Sequence, residues 1–243
     1  MSAEASPAPR TAADLSQAIR ALREGAAVVL PNPAPLTHVV TATTPQAVNE
    51  AKGRPSDQPV ALWAHHPDTL HAVAAVTELD AAGTALAARL LAEEYLTLLV
   101  PLRPSPQLSW LVPACKAGWA LLFGARWQPL RPLLDEHPVL YVSSANRTGR
   151  QPAATTADAL AMFPATVPVL QLPHRPETGT ATAARQATTT VALHPDGRLT
   201  LHRHGAQDRS YDHSDDYLHQ LGAQYAHTPA GATDTSGGET HQP

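Results

Sequence analysis

Three short segments and a set of arginines hold side chains that could do chemistry. Lys52-Gly53-Arg54-Pro55 sets an ammonium and a guanidinium two residues apart beside a stiff Gly-Pro turn. A Lys point charge next to an Arg fork suits the oxygens of a polyphosphate or a carboxylate. The same pair also fits the C-terminal end of a helix, where the helix dipole favours cations, and the spacing leaves both readings open. Ser143-Ser144-Ala145-Asn146-Arg147-Thr148-Gly149 directly follows the apolar run Val139-Leu140-Tyr141-Val142. Small hydroxyl and amide groups at a strand exit are where α/β proteins place ligand contacts, because the backbone can approach a ligand closely there. A plain strand-to-helix loop has the same composition. Gln186-Ala187-Thr188-Thr189-Thr190-Val191 carries three threonines into a strand, which β-propensity alone would also explain. Finally, Arg126 follows the apolar stretch Trp119 to Ala125, Arg147 lies in the serine loop and Arg203 follows the stretch Leu199 to His202, so cations collect at strand ends.

Other chemistries find no support. The chain has 13 histidines, but neither His65-His66 nor His202-x-His204 has a third ligand at metal-binding spacing, so no metal site is expected. Walker-type, G-x-S-x-G and dinucleotide-binding patterns are all missing. With 17 Lys and Arg against 21 Asp and Glu, the net charge of −4 argues against a protein that coats nucleic acid, so any anion site must be a focused one. A single cysteine excludes an internal disulfide and a cysteine-based zinc site and points to a reducing cytoplasm. Residues 1–10 lack the apolar centre of a signal peptide, and no apolar run nears the roughly 20 residues that span a bilayer, so no membrane association is expected.

These segments need elements to hold them. Leu15, Ala18, Ile19 and Leu22 predict a helix over residues 11–25, with Thr11 as N-cap. Two strands follow at 26–30 and 37–41, separated by Pro31-Asn32-Pro33-Ala34-Pro35. Thr44 as N-cap, Pro45 at the first helical position and Gly53 past the end frame a short second helix. Strands are expected at 59–64, 95–102, 118–125, 139–142, 167–172, 188–193 and 199–202, and helices at 79–93, at 155–163 and from Ser214. The irregular alternation predicts an α/β or α+β sheet layered with helices rather than a strict doubly wound fold. Residues 1–10 and the stretch from Tyr225 to Pro243 read as tails too poor in large apolar groups to stay ordered, leaving one domain over 11–208 and a largely unstructured extension over 209–243.

In this order and at these separations, Lys52-x-Arg54, Gly124-Ala125-Arg126, Ser144-x-Asn146, Thr189-Thr190-Val191 and Arg203-His204-Gly205-Ala206 resemble the YrdC-like family, the threonylcarbamoyladenylate synthases, over about residues 11 to 208. The resemblance implies a twisted mixed sheet with flanking helices around a concave cationic cavity. It also implies condensation of ATP, bicarbonate and L-threonine to threonylcarbamoyl-AMP and pyrophosphate, used to modify an adenosine beside the anticodon of certain tRNAs. By the same resemblance, Lys52 and Arg54 are the catalytic cations. Arg126, Ser144, Asn146, Thr189 and Arg203 bind the nucleotide, with Mg2+ bridging its phosphates.

Two stretches depart from the family pattern. Where the family has P-T-D/E-T-x-Y-G-L, this chain reads Pro31-Asn32-Pro33-Ala34-Pro35-Leu36-Thr37-His38; where it has P-G-P-L-T, this chain reads Glu93-Glu94-Tyr95-Leu96-Thr97. Asn32 and Thr97 are what remains for a substrate pocket, and the two carboxylates are unwelcome beside an anion site. An alternative expectation is therefore a nucleotide- or RNA-binding module of the same fold, with tRNA or double-stranded RNA as partner and no threonine pocket. A third is a protein acting through partner contacts, for which the acidic stretch 212–216 is a faint hint.

Overall fold

The computed structural model describes residues 10–104, 108–173 and 184–226. Nine strands form one mixed sheet: β1 (Val28–Leu30), β2 (Val39–Ala42), β3 (Ala61–Trp63), β4 (Thr97–Pro101), β5 (Cys115–Lys116), β6 (Trp119–Phe123), β7 (Tyr141–Ser144), β8 (Thr190–Leu193) and β9 (Leu199–Arg203). Their order is β1-β2-β7-β3-β6-β4-β8-β9, with β5 added to β6. The β3–β6 and β4–β8 pairs are parallel and the others antiparallel. The expected mixed α/β sheet is therefore present. The helices are α1 (Leu15–Arg23), α2 (Pro45–Lys52), α3 (Pro67–Val76), α4 (Ala81–Glu93), α5 (Arg131–Leu134), α6 (Thr156–Met162) and α7 (Ser214–Ala226).

Alternate strand residues face opposite sides of the sheet and build two cores. Val29, Val40, Leu62, Leu98, Leu122 and Val191 pack with residues of α2, α3, α4, α6 and α7. Val28, Val39, Ala61, Trp63, Phe123 and Val142 face the other way, against α1 and the Leu130–Leu134 stretch. Four of this second set, Val39, Ala61, Phe123 and Val142, also line a cavity.

The structure moves several boundaries. α1 is capped by Asp14 rather than Thr11, because Asp14 and Gln17 exchange side-chain-to-backbone bonds of 2.8 and 2.9 Å in a capping box. α2 runs as its punctuation predicts, from Thr44, which accepts the Ala47 N–H, to Gly53 at φ 65°. α3 was not anticipated. His66 accepts the Asp68 N–H at its start and Pro67 opens it, but the Ala- and Val-rich sequence has no clear polar face. Residues 167–172 make only isolated bridges, Val29 to Val169 and Ala13 to Leu170, since Pro168 can accept from Val29 but cannot donate to a ladder.

In the extension, the helix expected from Ser214 is present. Residues 214–226 form α7, whose Tyr217, Leu221 and Tyr225 lie four residues apart on one face and are buried against the first core. Residues 1–9 and 227–243, which carry the rest of the expected tails, lie outside the described residues.

Candidate anion-binding cavity

A cavity of about 380 Å3 sits on the second face of the sheet. Arg54 enters it from the turn after α2. Asn49, fully buried in α2, holds that turn: its Nδ2 donates to Ser56 O and Gln58 O at 2.9 Å each, and its Oδ1 accepts from Arg54 Nε. Arg54 lines the cavity with its Nη2 buried and without a partner. Burial lowers the Arg54 pKa from its ordinary value, yet a guanidinium stays charged, so Nη2 is a donor in need of an acceptor. Asn49 was missed from sequence, where nothing sets it apart from any helical Asn.

Lys52 points elsewhere. It is 4% exposed and does not line the cavity. Its Nζ donates to Ser144 O and, at 2.9 Å, to Asn146 Oδ1. Asn146 Oδ1 also accepts from Ser144 Oγ at 2.6 Å, and Asn146 Nδ2 donates to Arg150 O at 2.8 Å. Lys52 and Asn146 are thus a tie between the two motifs rather than cavity walls; of the Ser-x-Asn pair only Ser144 lines the cavity. Burial first, and then the charge of Arg54, push the Lys52 pKa down to about 7.

The far wall comes from β4, β8 and β9. Thr97 and Thr188 share a 2.6 Å hydroxyl hydrogen bond, and Arg203 donates from Nη2 to Thr188 O at 3.1 Å; all three line the cavity. Strand parity excludes Thr189, which sits between the cavity-lining Thr188 and Thr190. Fully buried, it donates instead to Asp208 Oδ1 at 2.6 Å and accepts from the Gln207 and Asp208 amides. Arg126 is outside the lining too: its Nη2 donates to Ala64 O at 2.8 Å beyond the end of β6. The motif glycines allow close backbone contact. A Cβ on Gly124 would lie 2.3 Å from Leu91 O, and one on Gly205 2.2 Å from Thr189 N.

The proline-rich segment forms the last wall. Thr37 N donates to Gln186 O and Gln186 N to Pro35 O, at 2.9 and 3.0 Å, which docks the segment on the chain before β8. Asn32, 3% exposed, lines the cavity; its Nδ2 donates to Thr37 O at 2.9 Å and its Oδ1 is buried without a partner. The feared carboxylates face away. Glu93 pairs with Arg89 at 3.1 Å, and Glu94 Oε1 accepts from Tyr225 Oη at 2.7 Å. Among the described residues that line the cavity there are two arginines and no carboxylate. Among the described residues no group of three or more His, Cys, Asp or Glu could hold a metal, and no helix is long and apolar enough to cross a membrane.

Solved structures show the same fold. P. abyssi Sua5 complexed with L-threonine is 20% identical with a TM-score of 0.58, over 79% of this chain and 54% of that one. Full-length HypF in its phosphate- and nucleotide-bound form is 14% identical with a TM-score of 0.59, over 81% of this chain and 30% of that one. E. coli YciO is 12% identical with a TM-score of 0.57, over 80% and 90%. This chain therefore spans about half the length of that Sua5. Comparison with the curated proteins finds no significant match. The Sua5/YciO/YrdC family model, described as telomere recombination, matches residues 16–205. With that match covering most of its length, and with the fold and glycine contacts above, the chain belongs to the Sua5/YciO/YrdC family.

Proposed function

We propose that the cavity binds ATP and that the chain makes threonylcarbamoyl-AMP from ATP, bicarbonate and L-threonine, for the modification of tRNA. The observation that carries this reading is Arg54, whose buried Nη2 has no partner among the described residues and whose side chain lines a cavity with a second arginine and no carboxylate among its described lining. Such a donor calls for an acceptor oxygen, and an anionic one makes the stronger bond. The nucleotide in HypF and the threonine in P. abyssi Sua5 belong to those proteins and support the choice of ligands to test.

In the proposed reaction, the amine nitrogen of threonine first bonds to the bicarbonate carbon, a C–O bond of bicarbonate breaks, and its oxygen leaves as water with an amine proton, giving the carbamate. A carbamate oxygen then forms a bond to the α-phosphorus as the bond to the pyrophosphate oxygen breaks, and pyrophosphate leaves with the electron pair. The demand on the protein is placement and charge neutralisation. Arg54 and Arg203 supply charge, Ser144 and the Thr97–Thr188 pair supply hydroxyls, and Lys52 holds the Ser144 loop against the Arg54 turn. The described lining does not fit a protein-held Mg2+, which takes carboxylate ligands, because none of the described residues that line the cavity is a carboxylate.

A second reading is favoured by one observation, the replacement of the family's threonine-, acid- and tyrosine-bearing segment by 31–38, which leaves Asn32 with an unused Oδ1. On this reading the chain binds a nucleotide, or an RNA end that presents one, without forming the adenylate. Incubation with ATP, magnesium, bicarbonate and L-threonine separates the two. Pyrophosphate and threonylcarbamoyl-AMP seen by mass spectrometry support the synthase; ATP binding without product supports the module; neither removes both.

A further inference from the structure

A second cavity, of about 180 Å3, lies between α7, the turn at 207–211 and the C-terminal end of α4. Most of its lining, from Gln207 to Gln224, falls beyond the family-matched residues 16–205. It is therefore a feature of this chain's extension.

Its walls include acceptors with capacity to spare. Glu94 lines it, and both hydrogen bonds to this carboxylate, from Tyr225 Oη at 2.7 Å and Gln224 Nε2 at 3.0 Å, fall on Oε1, leaving Oε2 for another donor. Tyr217 also lines it and is 3% exposed, with its hydroxyl buried and without any partner. Burial, and then the charges of Glu94 and Asp208, raise the Tyr217 pKa, so the phenol stays protonated. Tyr211 Oη donates to Gln220 Oε1 at 2.7 Å, and its ring packs 5.2 Å from that of Tyr217. The described lining holds no Lys, Arg or His. Arg89, on the same helix as Glu94, is already engaged: it stacks 4.5 Å from the centre of the Tyr225 ring and donates to Glu93.

An electronegative hollow with a half-used carboxylate and an orphaned buried hydroxyl lacks one component, a cation with N–H donors. We propose that this cavity binds a small organic ammonium ion, with Glu94 as its counter-charge and Tyr217 as a hydrogen-bond partner. At about 30 Å3 per water-sized group, the volume admits a short alkylammonium with room for a water or two. A bare divalent cation is a poor fit, because Glu94 is the single carboxylate among the described lining residues.

Ethylammonium chloride tests this on the full chain, with potassium chloride and tetramethylammonium chloride at equal ionic strength as controls. Thermal unfolding and calorimetry should show saturable binding of ethylammonium alone, since tetramethylammonium has no N–H. Glu94→Gln should weaken that binding at least tenfold, and Tyr217→Phe several-fold. Tyr217→Phe removes a hydroxyl that has no partner, so it should fold as well as wild type and carries the test if Glu94→Gln does not fold. Equal responses to the three salts, or equal ethylammonium affinity in wild type and Tyr217→Phe, would overturn the proposal. ATP affinity, measured in parallel, reports on the other cavity separately.

Discussion

Lys52 offers a sharp test of where the structure places its charge. Its ammonium is buried and held to Ser144 O and Asn146 Oδ1, and its pKa falls from 10.5 to about 7, by burial first and then by Arg54. In the unfolded chain the group keeps its ordinary value, so between pH 7 and pH 10.5 the unfolded state binds more protons and stability contributed through Lys52 rises with pH. Below pH 7 the desolvation cost is constant. Applied to a folded value near 7 and an unfolded value of 10.5, linkage gives a gain of about 2 kcal/mol from pH 7 to pH 9. Lys52→Met keeps the volume and removes the titration, so urea unfolding of both proteins at pH 7, 8 and 9 isolates the effect as the difference between the two curves. The wild type should gain about 2 kcal/mol on the variant over that range. A difference that stays flat would mean that the ammonium is solvated, which the placement between α2 and the Ser144 loop does not allow.

Other outcomes follow from single contacts. Gly205→Ala would put a Cβ 2.2 Å from Thr189 N, so it should destabilise by about 3 kcal/mol or prevent soluble folding, read by thermal unfolding. Thr189→Val removes a hydroxyl that donates to Asp208 and accepts two amides; a loss of about 2 kcal/mol with ATP affinity within twofold of wild type would fit its place outside the cavity. Asn32→Ala removes a cavity-wall amide bonded to Thr37 O, and in an active preparation it should raise the KM for the amino acid about tenfold while leaving ATP affinity unchanged.

Much of this was legible in the residues. Thr44, Pro45 and Gly53 fixed α2 almost to the residue, because caps and prolines act locally. The approach of Lys52 to Asn146 was not, since 94 residues separate them and only the sheet order, which sets β7 beside β2, brings them together. For the same reason a resemblance could place both motifs in one site without showing that Lys52 is a tie and Arg54 a cavity wall. Thr188, Thr189 and Thr190 are alike in sequence, and it took the register of β8 against β4 to show which of them face the cavity. Asp208, buried under Thr189, Gly205 N and His204, gave no signal, because a carboxylate just past a strand reads as solvated.

The central claim is that Arg54 presents an unmet hydrogen-bond donor to a phosphate in the sheet-face cavity. Calorimetric titration of ATP into wild type and Arg54→Ala tests it most directly. A charged hydrogen bond of this kind is worth about 1.5–3 kcal/mol, so the variant should bind roughly 10- to 100-fold more weakly. Equal affinity in the two proteins would contradict the claim.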